Sequence, residues 1–502
     1  MTTLKTSAIA PVITEHRDHL LKGLHQTLTQ SMLLDAPGPN GGGEDEANYA
    51  LPWLLLHLLT GDHEAATHAH DLFTDLQRWV AEHCIDGYEA DAEAHHGTEP
   101  FLLFLPRYAK LFDSQAARDL ITNAADFIIG RKPGAPQWYD SQREVFVSWD
   151  LGARYADRDP KHRKEYGDHW RFIHIALAAY DCSGDEAYAA WALAYAKARA
   201  RRIVAAADPL PAEWTLDGDP IPFTDQQRMH TVTNDPLTGV ESILASGGLH
   251  ALADCFAIEA DPVLQHAAHR VAGHLVPLLT DPYCDPAAAA LRRYRLGFAD
   301  NCFDQAITEQ AGAIDLRDAP EHLVLPARIH RADHGTGVGR RKDMQRWYIE
   351  DDTGALQPSA AMCPAAATLA WDVTGDPRFA EHALRLAAQR TWIAQRALRS
   401  GREHADKGCS IASVLTGHGR NWGTGAATGC LQPLLRGGDV IRGSLAPALS
   451  IKADSALCTL VQSDPTGERV HGWNTGTTAV ELSIQGRREH RTLVAPGHYL
   501  IC

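Results

Sequence analysis

Residues 51–73 spell LPWLLLHLLTGDHEAATHAHDLF, an aliphatic run, a short polar turn and then a run rich in Ala, His and Leu. Gly61 suits the end of one helix and Asp62 the start of the next, because Gly tolerates left-handed backbone and Asp accepts hydrogen bonds from the first backbone N–H groups. The stretch therefore predicts an α-hairpin. The same punctuation recurs at Leu111-Phe112-Asp113-Ser114, Cys182-Ser183-Gly184-Asp185, Glu259-Ala260-Asp261-Pro262 and Thr374-Gly375-Asp376-Pro377.

The segments after these turns carry apolar residues at helical spacing. Examples are Ala187, Trp191, Ala194, Tyr195 and Ala198, and also Phe379, Leu384, Leu386 and Ala387. Such i, i+3, i+4 spacing predicts amphipathic or buried helices. The turns lie roughly 50 to 115 residues apart, which is too irregular for a solenoid of fixed period. Long connections must therefore separate the hairpins.

The last part of the chain changes from helical to alternating, β-branched character. Three runs show it, Ala456–Gln462, Thr477–Ile484 and Arg491–Ile501, and Pro, Gly and Asn clusters divide them. This pattern predicts antiparallel strands. The segment has too few residues to form an independent β-sandwich. We expect a helical catalytic domain over residues 1–438 and a small β subdomain over residues 439–502, packed on the helical body.

Repeated units of helix, Thr-Gly-Asp turn and helix, followed by a short β tail, resemble the six-hairpin (α/α)6 toroid superfamily over residues 45–435. Its members include glycoside hydrolases, unsaturated-glucuronyl hydrolases and polysaccharide lyases. The resemblance implies a mainly α fold, an (α/α)6 toroid with a small C-terminal antiparallel β-sheet, and a carbohydrate-cleaving enzyme. It rests on hairpin punctuation and not on a catalytic motif, and cyclases share the ring, so the fold does not dictate the chemistry. An ordinary helix bundle is the alternative architecture.

Composition narrows the classes of partner. The chain has 502 residues with 63 acidic against 47 basic side chains, a formal charge of −16, which is the wrong sign for nucleic acid or an anionic membrane. Lys5 lies in an N-terminal stretch without an apolar core, and no long apolar run follows, so we expect a soluble, cytoplasmic protein unless a signal peptide has been removed. Ten scattered cysteines without C-x-x-C favour reduced, buried thiols. No motif indicates a cofactor or a metal, and a homo-oligomer stays open.

In a ring of this kind, polar loops between helices are the natural site candidates. A Gly run before a helix, Gly41–Tyr49, carries Asp45 as a substrate-binding candidate, although its acids could merely cap that helix. A second stretch, Tyr88–Glu99, alternates acids with alanines. Its candidates are Asp91, Glu93 and His96 for catalysis and His95 for substrate binding, against the alternative of a solvated polar loop.

Three further segments complete the set. In Phe223–Asp235, Asp225 and His230 are catalytic candidates, and Asn234 and Asp235 could orient the imidazole. In Leu291–Asn301, a basic and aromatic patch, Arg292 and Arg293 could bind a carboxylate and Tyr294 could transfer a proton, unless the patch is a solvated helix face. In Thr416–Gly425, the candidates for sugar contact are His418, Arg420, Asn421 and Trp422.

These residues support three hypotheses. The first is hydrolysis of a glycosidic bond by two carboxylates drawn from Asp45, Asp91, Glu93 and Asp225. The second is β-elimination from a uronate sugar, with His230, Tyr294 and His96 as acid and base and Arg420 and Asn421 neutralising the carboxylate. The third is sugar binding without catalysis. Because the basic candidates would form a positive cleft in an acidic chain, we expect short, uronate-containing oligosaccharides as the substrate and expect the segments to converge on one cleft.

Overall fold

The structure is a computed structural model of the whole chain. It describes residues 9–33, 44–90, 94, 97–98, 100–221, 239–245, 247–280, 284–313, 316, 323–324, 348–350, 356–358, 364–399, 449–450, 457–474, 476–484, 490–496 and 499–501. Over these residues the chain is mainly helical, with small antiparallel sheets.

Fourteen α-helices occur in the described part of the chain. They are α1 (Ile9–Ser31), α2 (Glu44–Thr60), α3 (His63–His83), α4 (Leu105–Leu111), α5 (Gln115–Ile128), α6 (Trp170–Ser183), α7 (Glu186–Ala205), α8 (Gly239–Ala245), α9 (Gly248–Ile258), α10 (Pro262–Leu275), α11 (Cys284–Gly297), α12 (Asp304–Ala311), α13 (Pro364–Thr374) and α14 (Pro377–Arg399). A π-helical turn, Pro100–Phe104, leads into α4, and 3-10 turns lie at Gly167–His169 and Val276–Thr280.

All five predicted hairpin turns are confirmed. Each joins two helices, and in each an Asp or Ser side chain accepts a hydrogen bond from a backbone N–H in the first turn of the second helix. The pairs are Asp62 with Glu64 at 2.9 Å, Ser114 with Ala117 at 3.3 Å, Asp185 with Ala187 at 3.0 Å, Asp261 with Val263 at 2.9 Å and Asp376 with Arg378 at 3.0 Å. In the described chain α11 and α12 are also joined by a short turn, residues 298–303, which lacks the Gly-Asp punctuation.

The two helices of a hairpin differ in burial. In α6, residues 170–179 are all buried, and the same holds for residues 248–255 of α9 and 364–372 of α13. The second helices bury one face only, as α5 does through Ile121, Ala125 and Ile128. The first helices contact one another in chain order, from α2 through the π-helical turn, α6, α9 and α11 to α13. In each of the five predicted hairpins the second helix packs against the first.

Helix α1 is not part of a hairpin and packs along α14, and it also contacts α2. Its Ser31 hydroxyl lies 3.1 Å from Nε2 of His68 on α3, and His16 pairs with Glu381 of α14 at 3.1 Å. The N-terminal helix therefore links the first and the last described hairpins.

Short strands lie in the connections that lead from the second helix of one hairpin to the first helix of the next. They are β1 (Cys84–Ile85), β2 (Tyr88–Glu89), β3 (Tyr139–Asp140), β4 (Val145–Phe146), β5 (Leu151–Gly152), β6 (Tyr155–Ala156), β7 (Lys164–Glu165), β8 (Trp214–Thr215), β9 (Leu323–Val324), β10 (Tyr348–Glu350) and β11 (Leu356–Pro358). All pair antiparallel, β1 with β2, β3 with β4, β5 with β6, β7 with β8, and β10 with both β9 and β11.

The C-terminal residues form the predicted small antiparallel sheet. Its order is β12 (Leu449–Ser450), β13 (Leu457–Asp464), β14 (Gly467–Asn474) and β17 (Tyr499–Ile501), and β15 (Val480–Ile484) pairs separately with β16 (His490–Val494). The sequence analysis missed β14, which turns back from β13 at Pro465 and Thr466.

This sheet is packed on the helical body, as expected. The indole N–H of Trp371 on α13 donates to the Val461 carbonyl at 3.4 Å, and Gln462 donates to the Asp372 carbonyl at 3.0 Å. Leu460 and Trp473 belong to the same hydrophobic core as the helices. None of the described helices is long and apolar enough to cross a membrane.

Candidate functional site

Side chains are described for three of the predicted site residues, Arg292, Arg293 and Tyr294. Asp45 lies in the first turn of α2, and its side chain falls outside the described part. The remaining candidates also lie outside the described residues, namely Asp91, Glu93, His95, His96, Asp225, His230, His418, Arg420, Asn421 and Trp422. Their neighbours in the chain nevertheless show where several of these segments are attached.

The second predicted segment is anchored next to the start of α6. The backbone N–H of Ala94 donates to the carbonyl of Leu151, in the connection between α5 and α6. The Thr98 hydroxyl accepts a hydrogen bond from Nη1 of Arg171, in the first turn of α6, at 3.1 Å. Gly97 has a positive φ of 71° and a position for Cβ only 3.0 Å from the Trp79 ring, so this turn requires glycine. Residues on both sides of His95 and His96 are thereby fixed.

The third predicted segment begins and ends near the same place. The N–H of Ile221 donates to the Glu213 carbonyl at 3.0 Å, and the N–H of Gly239 donates to the Leu210 carbonyl at 3.1 Å. Helix α8 then packs against the 3-10 turn before α6, where a Cβ at Gly167 would overlap the Ser242 hydroxyl. The described residues on either side of segment 222–238, Ile221 and Gly239, therefore flank the N-terminus of α6. We name the region formed by residues 165–171 and their contacts the α6 entrance.

A buried carboxylate, Glu165, holds the α6 entrance together. Its Oε2 accepts hydrogen bonds from the Tyr195 hydroxyl and from Nη1 of Arg199, each at 2.6 Å, and Oε1 accepts the Phe146 N–H at 2.5 Å. Burial alone would raise the pKa of Glu165, but the hydrogen bond from His169 and the charges of His169, Arg199 and neighbouring Arg202 outweigh it and lower the pKa to about 2. At neutral pH Glu165 is thus a charged structural anchor.

Arg199 completes this anchor. Its guanidinium lies between two indoles, 5.1 Å from the Trp170 ring and 5.0 Å from the Trp214 ring. Both rings attract the cation through their π faces. Because Arg199 and Glu165 are both buried, the pair joins the connections before α6 and after α7 to the hairpin without touching solvent. It can position a site but cannot reach a substrate.

Groups with access to solvent lie beside this anchor. Asp168 is 22% exposed and its Oδ1 lies 3.9 Å from Nε of Arg171. In the connection that contacts Ala94, Asp157 hydrogen-bonds Nδ1 of His162, and Asp150 lies 3.9 Å from the same nitrogen. Partly exposed carboxylates beside an imidazole can hold and transfer protons.

The backbone N–H of Asp159, together with the hydrogen bond from His162, lowers the pKa of Asp157 below its usual range. Sequence reasoning missed Asp150, Asp157, His162 and Asp168. The signal that could have found the first three was three Asp and one His within residues 150–162, a spacing compact enough for one folded connection.

The fourth predicted segment lies on α11 and in the turn that follows it. The Arg292 Nε bonds Asp372 of α13, and Nη2 of Arg293 bonds Asp254 of α9. The alternative of a solvated helix face does not apply, because Arg292 is 2% exposed and Tyr294 is 1% exposed. These guanidinium groups are engaged by carboxylates of the chain itself, and they join three of the buried first helices.

Tyr294 lies at the turn between α11 and α12. Its hydroxyl donates to Oδ2 of Asp300 at 2.5 Å and lies 2.9 Å from Nδ1 of His269 on α10. Burial, followed by the hydrogen bond to Asp300, raises the pKa of Tyr294 far above its usual value. This turn follows the C-terminal end of α11, whereas the connection that leads into the helix lies at its N-terminal end. The structure thus places described residues beside two of the predicted segments at the α6 entrance and places Tyr294 at the α11–α12 turn.

Comparisons with the models of known protein families and with the sequences of curated proteins found no match to this chain.

Proposed function

We propose that the hairpins form an α/α ring of the toroid type. The order of contacts between the first helices and the bridging position of α1 between α14 and α3 support this arrangement. In such a ring every long connection leads from an outer helix to the next inner helix. The connections that hold Asp91, Glu93, His95, His96, Asp225 and His230 belong to this class, so a ring would gather them at one end.

On this ring we propose an enzyme that cleaves glycosidic bonds in oligosaccharides, by hydrolysis with paired carboxylates. One observation carries the proposal: both acid- and histidine-bearing segments, around Asp91 and around Asp225, are attached at the α6 entrance. One carboxylate would protonate the leaving oxygen, and the other would activate water or attack the sugar. Asp168 and Asp150 are further carboxylates near the α6 entrance. The Glu165–Arg199 anchor would keep the backbone beneath the site rigid.

The proposed substrate is a short, uronate-bearing oligosaccharide. The negative chain would repel a long polyanion, whereas Arg420 could pair with a single carboxylate. Loss of one charge-assisted hydrogen bond costs about 1.5–3 kcal/mol, so Arg420→Ala should reduce turnover of uronate substrates by about 10- to 150-fold. Arg78→Ala is the matched control, because Arg78 is an exposed arginine on the outer face of α3.

The test is turnover of a panel of neutral and uronate-bearing oligosaccharides. New reducing ends without ultraviolet absorption indicate hydrolysis, whereas an absorbing unsaturated sugar indicates β-elimination. We expect some of the carboxylate substitutions to lower the rate by about 100-fold or more, the usual contribution of a general acid or base. The substitutions are Asp91→Asn, Glu93→Gln and Asp225→Asn.

Asp113→Asn serves as the control for the carboxylate variants. Asp113 is an 88% exposed carboxylate in a hairpin turn, and Asn tolerates its positive φ of 51°. If all three variants behaved like this control, the carboxylates would not be catalytic. An unsaturated product would replace hydrolysis with elimination, and saturable binding without turnover would replace the enzyme with a sugar-binding protein.

A further inference from the structure

Four chemically different side chains meet where α10 packs against the turn between α11 and α12. They are His269, Tyr294, Asp300 and Cys302, and we call them the turn cluster. Nδ1 of His269 lies 3.7 Å from Sγ of Cys302 and 3.8 Å from Oδ2 of Asp300. One ligand atom each from His269, Asp300 and Cys302 lies within 4.8 Å of the other two.

These distances fit the edges of a metal coordination tetrahedron. With bonds of about 2.0 Å to nitrogen or oxygen and about 2.3 Å to sulfur, two ligand atoms on a tetrahedral zinc lie roughly 3.3 to 3.6 Å apart. The observed separations of 3.7 and 3.8 Å exceed this range only slightly. Small side-chain rotations would bring the three atoms onto a common ion.

The surrounding contacts already orient the ligands. The Cys302 backbone N–H donates to Oδ1 of Asp300 at 2.8 Å, and the Tyr294 hydroxyl donates to Oδ2 at 2.5 Å, so the carboxylate is held from both sides. The His269 ring stacks on Phe303 with centroids 5.0 Å apart, which fixes its plane. Outer contacts of this kind are what position metal ligands in proteins.

Access is also suitable. Cys302 is exposed, and the His269 side chain is 53% exposed, so an ion can enter from solvent. Of the cysteines whose side chains the structure describes, the other three, Cys84, Cys182 and Cys255, are buried or half-buried. An exposed thiol beside an imidazole and a carboxylate departs from the expected pattern of buried thiols and points to chemistry at this place.

We propose that the turn cluster is a zinc site in which Nδ1 of His269, a carboxylate oxygen of Asp300 and Sγ of Cys302 bind the ion. A thiolate, an imidazole and a carboxylate together suit zinc better than magnesium or calcium, which prefer oxygen ligands alone. Binding releases the thiol proton to solvent and leaves the imidazole proton on Nε2. Tyr294 holds Asp300 through its hydroxyl, and a water molecule fills the fourth position.

Such an ion would tie α10 to the α11–α12 turn, two elements that otherwise meet here through side-chain hydrogen bonds and the stacking of His269 on Phe303. The site is separate from the α6 entrance, and it stands whatever reaction the protein catalyses. Sequence analysis missed it because His269 lies 33 residues before Cys302 and no metal-binding motif covers the spacing.

Two other groups of described residues could hold an ion, His25 with Asp62 and Glu64, and His162 with Asp150 and Asp157. Neither contains a thiol. In the first, Asp62 already caps α3, and in the second Asp157 already bonds His162. A spectroscopic signal from a metal–thiolate bond therefore distinguishes the turn cluster from both.

The experiment uses the full-length protein, stripped with a chelator and titrated with Co²⁺ and Zn²⁺. Co²⁺ should give a thiolate charge-transfer band and the visible bands of tetrahedral coordination, saturating at about one ion per chain, and Zn²⁺ should displace it. Cys302→Ser should abolish the charge-transfer band, and Cys182→Ser, a half-buried cysteine on α6, should retain it. Tyr294→Phe, which removes only the hydroxyl, should weaken binding by about 10- to 100-fold.

Either of two results would overturn the proposal. One is a parent protein without the thiolate band, and the other is a band that persists in Cys302→Ser. Should Cys302→Ser not fold, as judged by circular dichroism, Asp300→Asn and Tyr294→Phe decide the question, and parental Co²⁺ affinity in both would refute the site. His162→Gln should leave the band unchanged, because the competing group contains no sulfur.

Discussion

Thr391 of α14 lies directly over Gly23 of α1, so closely that a Cβ at Gly23 would overlap the threonine hydroxyl and lie 2.9 Å from Thr391 Cβ. The two helices run side by side for much of their length. A second contact between them, the pair of His16 and Glu381, lies closer to the N-terminus of each helix. Thr391 is itself 1% exposed, so the contact lies in the interior. The contact between the first and last described helices thus depends on the absence of one side chain.

Gly23→Ala should destabilise the protein by about 1–3 kcal/mol, because overpacking a close helix contact forces the backbones apart. The measurement is the free energy of unfolding in urea. Gly273→Ala is the matched control, since Gly273 also lies within a helix but its nearest neighbour to a new Cβ is Phe303 at 3.6 Å. That change should be neutral or stabilising by up to about 1 kcal/mol, through helix propensity. Equal effects of the two substitutions would contradict the close approach at Gly23.

Sequence patterns predicted those parts of the fold whose cause is local. Asp62 and Asp185 cap the helices that they directly precede, so the turns could be found from a few adjacent residues. The α11–α12 turn was missed because Phe303, and not an Asp or Ser, directly precedes α12, although Asp300 and Cys302 give the turn a defined shape. The closure through Gly23 and Thr391 depends on positions far apart in the chain, which periodicity cannot relate.

The same distinction applies to the candidate site. The basic patch on α11 was visible in the sequence, but the carboxylates that engage it, Asp254 and Asp372, lie 39 and 80 residues away. A charge pattern on one helix cannot show whether its partner is a substrate or another helix of the same protein. By contrast, the dense polar stretch before α4 and the Pro-rich stretch after α7 were recognised from composition alone, and their described ends meet at the α6 entrance.

The Asp372 carboxylate should be essential for docking of the C-terminal sheet. It accepts a hydrogen bond from Arg292 through Oδ2 and from the Ser463 backbone N–H through Oδ1, the latter at 2.9 Å. Asp372→Ala would leave a buried guanidinium without this partner, and removing one member of a buried ion pair costs about 3–5 kcal/mol. Two measurements report the loss of docking: the free energy of unfolding should fall, and a protease should cut the chain more readily after residue 464. Arg78→Ala, which removes an exposed pair with Asp75, should cost less than about 1 kcal/mol.

A comparable cost from these two changes would show that the Asp372 contacts are not buried in solution. Asp372→Asn refines the test, because an amide keeps the acceptor for Ser463 but loses the charge that faces Arg292. We expect it to retain more sheet docking than Asp372→Ala while still lowering the stability of the helical body.

Acid should weaken the protein first through buried histidines. Burial lowers the pKa of His68, of His250 and of His471 to about 4 each. Nearby Arg293 lowers the pKa of His250 further, Arg469 does so for His471, and Asp71 partly opposes the effect at His68. The unfolded chain binds these protons near pH 6.5 and the folded chain only near pH 4, so the stabilisation is complete above pH 6.5 and is lost as the pH falls from 6.5 to 4.

This window lies above the one for Glu165, whose stabilisation is present above pH 4.5 and is lost as the pH falls toward 2. Between pH 6.5 and 4.5 the histidines should therefore dominate, each with up to about 3 kcal/mol. His250→Gln, which cannot titrate, should flatten the fall in unfolding free energy between pH 7 and pH 4.5 relative to the parent. His83→Gln, on an imidazole that is 50% exposed, should keep the parental slope. Urea unfolding at four or five pH values measures both slopes, and a slope in His250→Gln as steep as in the parent would rule out a buried, neutral His250.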